Sequence, residues 1–159
     1  LFHDPSCTRR VKQLFPEAVE QGRINPQVLA DIVFHHPDRL NRLEEIIHPA
    51  VRRHVKARLK KLDQAGKIKV VILDAPLLFE AGWDDFADAV IVVRASQALQ
   101  IQRVMKNRGM SRSDILTRLR VQMPQQEKLR RADFIIDNRF SKAKTRAQVK
   151  WLWDGLVSV

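Results

Sequence analysis

A chain of 159 residues with 45% apolar and 30% charged content sets the expectation of one globular domain with possible subdomains. No apolar run approaches the roughly 18 residues of a membrane span, and LFHDPSCTRR at the start has no signal-peptide core, so a soluble protein without a membrane partner is expected. The lone Cys7 excludes an internal disulfide and points to a reducing cytoplasm, and the net charge of +11 favours anionic partners without choosing among nucleotides, phosphorylated metabolites, nucleic acid and acidic membrane.

The first 66 residues read as nearly all helical. Asn25 followed by Pro26 has the N-cap and first-turn signature and opens a short helix through Val28, Leu29, Ile32 and Val33. A second helix starts near Pro37, with Leu40, Leu43, Ile46 and Ile47 at helical spacing, and Pro49 is expected to break or kink it. A basic helix follows and stops at Gly66. Val51, Val55, Leu59 and Leu62 form its apolar stripe, and the charges of Arg52 to Lys61 fall on the remaining faces, the pattern of a solvated helix face. No aromatics interleave with them, since the chain has no Tyr and its Trp lie at 83, 151 and 153, so no nucleic acid is expected.

From Ile68 the pattern becomes α/β. The apolar run Ile68 to Leu73, ending in Asp74, reads as a buried parallel strand. A loop, a strand from Ala89 to Val93 and a helix capped by Ser96 come next. A helical hairpin then carries a capping-box pattern at Ser111 and Asp114 and a helix opened by Pro124. Strand Phe134 to Ile136 and a helix capped by Ser141 complete three parallel strands with flanking helices. Such sheets bind ligands beyond the carboxyl ends of their strands, which puts Asp74 and Glu80 near any active site. The hairpin is rich in arginine (103, 108, 112, 118, 120, 130 and 131), and guanidinium forks suit phosphate oxygens, although any one of them can simply face water. His3, His35, His36 and His54 have no metal-ligand spacing with Cys7, so no zinc site is expected.

Five segments together resemble the dephospho-coenzyme A kinase family. They are His48-Pro49, the DAPLLFEAG of Asp74 to Gly82, the R-x-x-x-x-R of Arg103 and Arg108, the R-x-x-x-Q of Arg118 and Gln122, and the ADFIIDN of Ala132 to Asn138. Their order and spacing match over essentially the whole chain. The resemblance implies a P-loop kinase fold: a helical substrate-binding region over 1–66, a nucleotide-binding α/β core over 67–106 and 131–159, and a helical lid over 107–130. It implies transfer of the ATP γ-phosphoryl group to the 3′-hydroxyl of dephospho-coenzyme A with Mg²⁺, by a cytoplasmic monomer or weak oligomer.

By the same resemblance, Arg108 and Arg103 are catalytic, with Arg108 beside the β and γ phosphates. Asp74, Pro76, Leu77, Leu78, Glu80 and His48 are substrate-binding, and Asn138 and Arg108 bind ATP. Asp74 is the candidate to hold Mg²⁺ through water, against a role capping local amides. Glu80 either reaches substrate or makes a structural hydrogen bond to the helical domain. His48 contacts substrate or bonds to backbone, and Asn138 borders the adenine or caps its own turn.

Two departures stand out. No G-x-x-x-x-G-K-[ST] loop occurs, because the five glycines (22, 66, 82, 109 and 155) are isolated. In the family that loop follows the central strand of the sheet, and the acidic general base lies on the second strand. The expectation is therefore that the chain lacks both strands and is unstable and inactive by itself. The alternative is a non-catalytic truncated homologue, a basic module binding nucleotide or nucleic acid. The lesser departure is Pro26, where the family usually has a basic residue, which removes a possible phosphate contact.

Overall fold

In the computed structural model, residues 4–157 are described; His3 lies outside them. The chain divides into two compact units, Leu1–Gly66 and Lys67–Val159.

Capping chemistry sets the helices of the first unit. Helix α1 (Pro5–Leu14) begins with proline at its first position, and the Asp4 carboxylate accepts from the amides of Ser6 (2.9 Å) and Cys7 (3.2 Å). The Ser6 hydroxyl and these amides hold Asp4 below the usual carboxylate range. A 3₁₀ turn at Pro16–Ala18 leads to a hairpin of β1 (Val19–Glu20) and β2 (Arg23–Ile24), with Val19 opposite Ile24. Gln21 (φ 48°) and Gly22 (φ 75°) form its left-handed turn, and the Lys12 ammonium donates to the Gly22 carbonyl. Helical periodicity gave no sign of this hairpin.

Helix α2 (Pro26–Phe34) starts as expected, with Asn25 Oδ1 accepting from Gln27 (2.9 Å) and Val28 (3.3 Å). Helix α3 (Pro37–Gln64) corrects the expected break, since it runs through Pro49 without interruption. Leu43 and Ile46 on one side of the proline and Ile47 and Ala50 around it pack on the core, which offsets the roughly 3 kcal/mol that an interior proline costs. That core joins Cys7, Val11, Phe15 and Ala18 to Leu29, Val33, Leu43 and Ile46. Beyond it, Val51, Val55, Leu59 and Leu62 are half-buried, and of the basic residues from Arg52 to Lys61 only Arg52 is not exposed.

The second unit is α/β, but the strand expected over Ile68 to Leu73 is not formed. A strand exists only through its ladder, and this segment has no partner among the described residues; Ile72, meant for burial, is 78% exposed. Two strands therefore stand in place of three. They are β3 (Ile91–Arg94), which begins two residues later than expected, and β4 (Phe134–Asp137), paired in parallel with Ile91 opposite Phe134 and Arg94 opposite Asp137. Asp133 fastens their leading ends, accepting from the Val90 amide (2.7 Å) and donating its own to the Val90 carbonyl (3.0 Å).

Four helices complete the unit: α4 (Gln97–Arg108), α5 (Arg112–Arg120), α6 (Gln125–Arg131) and α7 (Lys142–Val157), of which α6 packs on β3 and α7 on β4. The expected caps form. Ser96, Ser111 and Ser141 accept from the amides of Leu99, Asp114 and Lys144 at 3.4, 3.1 and 3.3 Å. Gly109, left-handed at φ 63°, ends α4. Its buried apolar side chains are Phe79, Trp83, Val90, Ile101, Ile115, Ile136 and Leu152. Among the described residues no helix is long and apolar enough to cross a membrane.

Candidate active site

The DAPLLFEAG segment folds as one helical turn with a glycine stop. The Ala81 amide donates to the Leu77 carbonyl (3.0 Å), then Gly82 donates to Phe79 (3.1 Å) and Trp83 to Leu78 (2.9 Å). This crossed pair, with Gly82 at φ 61°, is a Schellman ending, and its side chains Phe79 and Trp83 are buried. Leu77 and Leu78 are half-buried and Pro76 is exposed. Asp74 is exposed and caps no amide among the described residues, so its carboxylate is free to bind.

Glu80 turns out to be tied to the hairpin. Its Oε1 accepts from the Met123 amide (2.9 Å) and pairs with Lys128 Nζ (2.6 Å), and the same ammonium donates to the Pro76 carbonyl (3.2 Å). Within its own unit, then, the cation that meets Glu80 is supplied by α6. Its other oxygen, Oε2, is buried and has no hydrogen-bond partner among the described residues.

The arginines separate into two groups. Arg131 donates to Asp84 (2.8 Å) and lies over the Phe79 ring at 4.4 Å, and Arg130 pairs with Glu127. Arg103 and Arg108, both on α4, pair with no carboxylate among the described residues, and Arg108 is exposed while Arg103 is half-buried. An unpaired guanidinium keeps its full capacity for phosphate.

Beyond the strand ends, Asp137 collects two arginines. Its Oδ2 accepts from Arg94 Nη2 (2.8 Å) and Arg139 Nη2 (2.6 Å), and these donors, Arg139 first, hold the carboxyl far below the usual range. Gln148 of α7 clasps the backbone of Asp137, accepting from its amide (2.8 Å) and donating to its carbonyl (3.0 Å). Asn138 donates its amide to the Arg94 carbonyl (2.9 Å), and its Oδ1 accepts from Thr145 (3.1 Å), so its side chain fixes the start of α7. His48, in the first unit, is half-buried on α3 beside Glu44, Glu45 and Pro49.

The structure thus gathers Pro76, Leu77, Leu78 and Glu80 on one turn, two residues from a free Asp74, and leaves Arg103 and Arg108 unpaired. Lys128, Asp137 and the Arg94 opposite it were not singled out in the sequence. The i,i+3 spacing of Lys128 and Arg131 was the signal for the first, and the opposite charges ending the two strands were the signal for the other two.

Comparison with known proteins points the same way. A dephospho-CoA kinase from Thermus thermophilus is 41% identical over 128 residues, which cover 80% of this chain and 61% of that protein. One from Symbiobacterium thermophilum is 41% identical over 144 residues, 90% of this chain and 60% of that protein, so the chain spans about three fifths of the length of each. The crystal structure of TT1252 from Thermus thermophilus superposes with a TM-score of 0.74 at 36% identity, over 96% of this chain and 82% of that one. The family model for dephospho-CoA kinase matches residues 3–144, taking in the glycine-stopped turn, the unpaired arginines and both strands, and the chain belongs to the dephospho-CoA kinase family.

Proposed function

We propose that this chain is part of an ATP-dependent kinase that phosphorylates the 3′-hydroxyl of dephospho-coenzyme A, the last step of coenzyme A synthesis. The observation that carries the reading is the family match over 3–144, and it favours an enzyme over a non-catalytic basic module. The 3′ oxygen attacks the γ phosphorus, the bond from that phosphorus to the bridging oxygen breaks, ADP leaves, and the hydroxyl proton passes to a base.

Each residue has a part in this reading. Arg108 and Arg103 neutralise charge on the moving phosphoryl group, the main demand of such a reaction. Pro76, Leu77 and Leu78 form a wall of the acceptor pocket, which Glu80 supports, and His48 is the substrate-binding residue proposed for the helical region 1–66 taken by itself. Asn138 borders the adenine through its backbone, since its side chain is engaged by Thr145. Residues 67–106 and 131–159 form the nucleotide core, and the lid lies within 107–130.

Mg²⁺ enters on the phosphates of ATP and commonly takes only one or two protein carboxylates, with water filling the rest of its shell. The free, exposed Asp74 fits that role through water, and no group of three or more metal-ligating side chains gathers among the described residues. Bound there, the ion would draw charge from the phosphate oxygens.

The glycine-rich phosphate loop and the proton-accepting carboxylate would be supplied by polypeptide outside these 159 residues. The open sheet supports this. β3 is paired on one side alone among the described residues, which leaves an edge for a further strand, and Ile72 at 78%, Val93 at 56% and Ile91 at 41% exposure are apolar side chains that further polypeptide would cover. The test is transfer of labelled γ-phosphate from ATP to dephospho-coenzyme A by the whole protein. Label at the 3′ position supports the reading, and a purified, folded protein that transfers none overturns it.

A further inference from the structure

The contacts of α6 separate it from the rest of the arginine hairpin. Lys128 and Arg131 lie one turn apart on one face of this seven-residue helix, and each grips the 76–84 segment at a different place. Lys128 holds the leading end, through Glu80 Oε1 (2.6 Å) and the Pro76 carbonyl (3.2 Å). Arg131 holds the trailing end, through Asp84 (2.8 Å) and the face of Phe79 (4.4 Å). The Met123 amide, just ahead of α6, closes the arrangement on Glu80 at 2.9 Å.

The Lys128 and Glu80 side chains are each only 16% exposed, which sets this pair apart from a solvated surface ion pair. Glu80 Oε2 is buried with no hydrogen-bond partner among the described residues, so within them the carboxylate depends on Lys128 and one amide for its compensation. Helix α5 is different. It lies between the left-handed Gly109 and Val121 to Pro124 and is held by apolar packing, with Ile115 buried, and among the described residues neither Arg112 nor Arg120 makes a charged grip on the 76–84 segment.

We propose that α6 is a fixed anchor for the 76–84 segment, and that Lys128 and Glu80 are positioning residues holding the Pro76–Gly82 turn in place. Neither residue needs to touch the reacting atoms. Lys128 sets the shape of the turn through the Pro76 carbonyl and Glu80, and the turn presents Pro76, Leu77 and Leu78. The kinetic consequence rests on the reading of that turn as acceptor-pocket wall; the anchor itself does not.

The experiment measures hydrogen exchange and steady-state kinetics on the whole protein and on Lys128→Met, Lys128→Arg and Glu80→Gln. Lys128→Met should speed exchange by about tenfold across 77–83 and at Met123, with Lys128→Arg restoring most of the protection and Glu80→Gln losing part of it. Lys128→Met should also raise KM for dephospho-coenzyme A by about tenfold while leaving KM for ATP within about twofold, and arginine should rescue it.

Unchanged exchange across 77–83 and at Met123 in Lys128→Met overturns the anchor. Faster exchange with an unchanged acceptor KM overturns the positioning role. Should the unmodified protein transfer no phosphoryl group, the proposed activity fails, and the exchange data still decide the anchor.

Discussion

Arg94 and Asp137 stand opposite each other at the carboxyl ends of the two parallel strands, with Arg94 Nη2 2.8 Å from Asp137 Oδ2. The cross-strand neighbour relation brings them together, and Arg139, two residues past Asp137, adds a second guanidinium at 2.6 Å. Fixing the ends of β3 and β4 fixes the edge of the crevice where parallel sheets bind ligands.

A pH dependence follows from that arrangement. Hydrogen bonds from Arg139 and then Arg94 lower the folded-state pKa of Asp137, so the folded form binds its proton less readily than the unfolded chain does. The resulting stabilisation is complete above the unfolded carboxylate pKa of about 4 and is lost as pH falls below it. Asp137→Asn should lower stability at pH 7 and flatten the acid side of the stability profile. Urea midpoints at pH 7 and pH 3 check this, and an acid slope as steep in the variant as in the unmodified protein would contradict it.

Gly109 ends α4 with φ 63°, and a Cβ placed there meets nothing within 4 Å. The cost of Gly109→Ala is therefore conformational, about 1 kcal/mol from the left-handed backbone alone. Denaturant unfolding should show that loss with an unchanged slope. A neutral result would mean that the α4 ending relaxes to another conformation.

Phe15, with no exposed surface, and Val11 are the most completely buried large side chains, and Phe15 joins α1 to the core of α2 and α3. Phe15→Ala should cost about 3 to 5 kcal/mol through lost burial and the cavity left behind. Cys7, 2% exposed in the same cluster, reports on it directly, because its thiol should react with a disulfide reagent much faster in the variant. Unchanged thiol protection would show that the cluster repacks.

Capping and local periodicity were legible in the sequence; pairing was not. Asn25, Ser96, Ser111 and Ser141 begin their helices as their side chains dictate, because an N-cap is decided within four residues. Ile68 to Leu73 has the composition of a buried strand and yet forms none, because a strand also needs a neighbour, which composition does not contain. Pro49 does not end its helix for a related reason, as packing around it outweighs the break that its local preference favours. At the site, residue types pointed to Asp74, Glu80 and the arginines, while the pairing of Glu80 with Lys128, 48 positions away, is set by the fold and not by any local pattern.

The paired and unpaired arginines should differ in what their loss changes. Arg131 is held by Asp84 and Phe79, partly exposed, so Arg131→Ala should cost stability of about 1 kcal/mol. Arg108 has no carboxylate partner among the described residues, so Arg108→Ala removes no ion pair from the fold and should leave the melting midpoint nearly unchanged. If it meets the transferring phosphate, the same variant of the whole protein should lose about a hundredfold or more in kcat. Arg108→Lys should recover only part of that, because an ammonium keeps the charge and loses the fork that grips two oxygens. Turnover in Arg108→Ala equal to that of the unmodified protein would remove Arg108 from the catalytic set and leave Arg103 as the remaining unpaired arginine of the R-x-x-x-x-R motif.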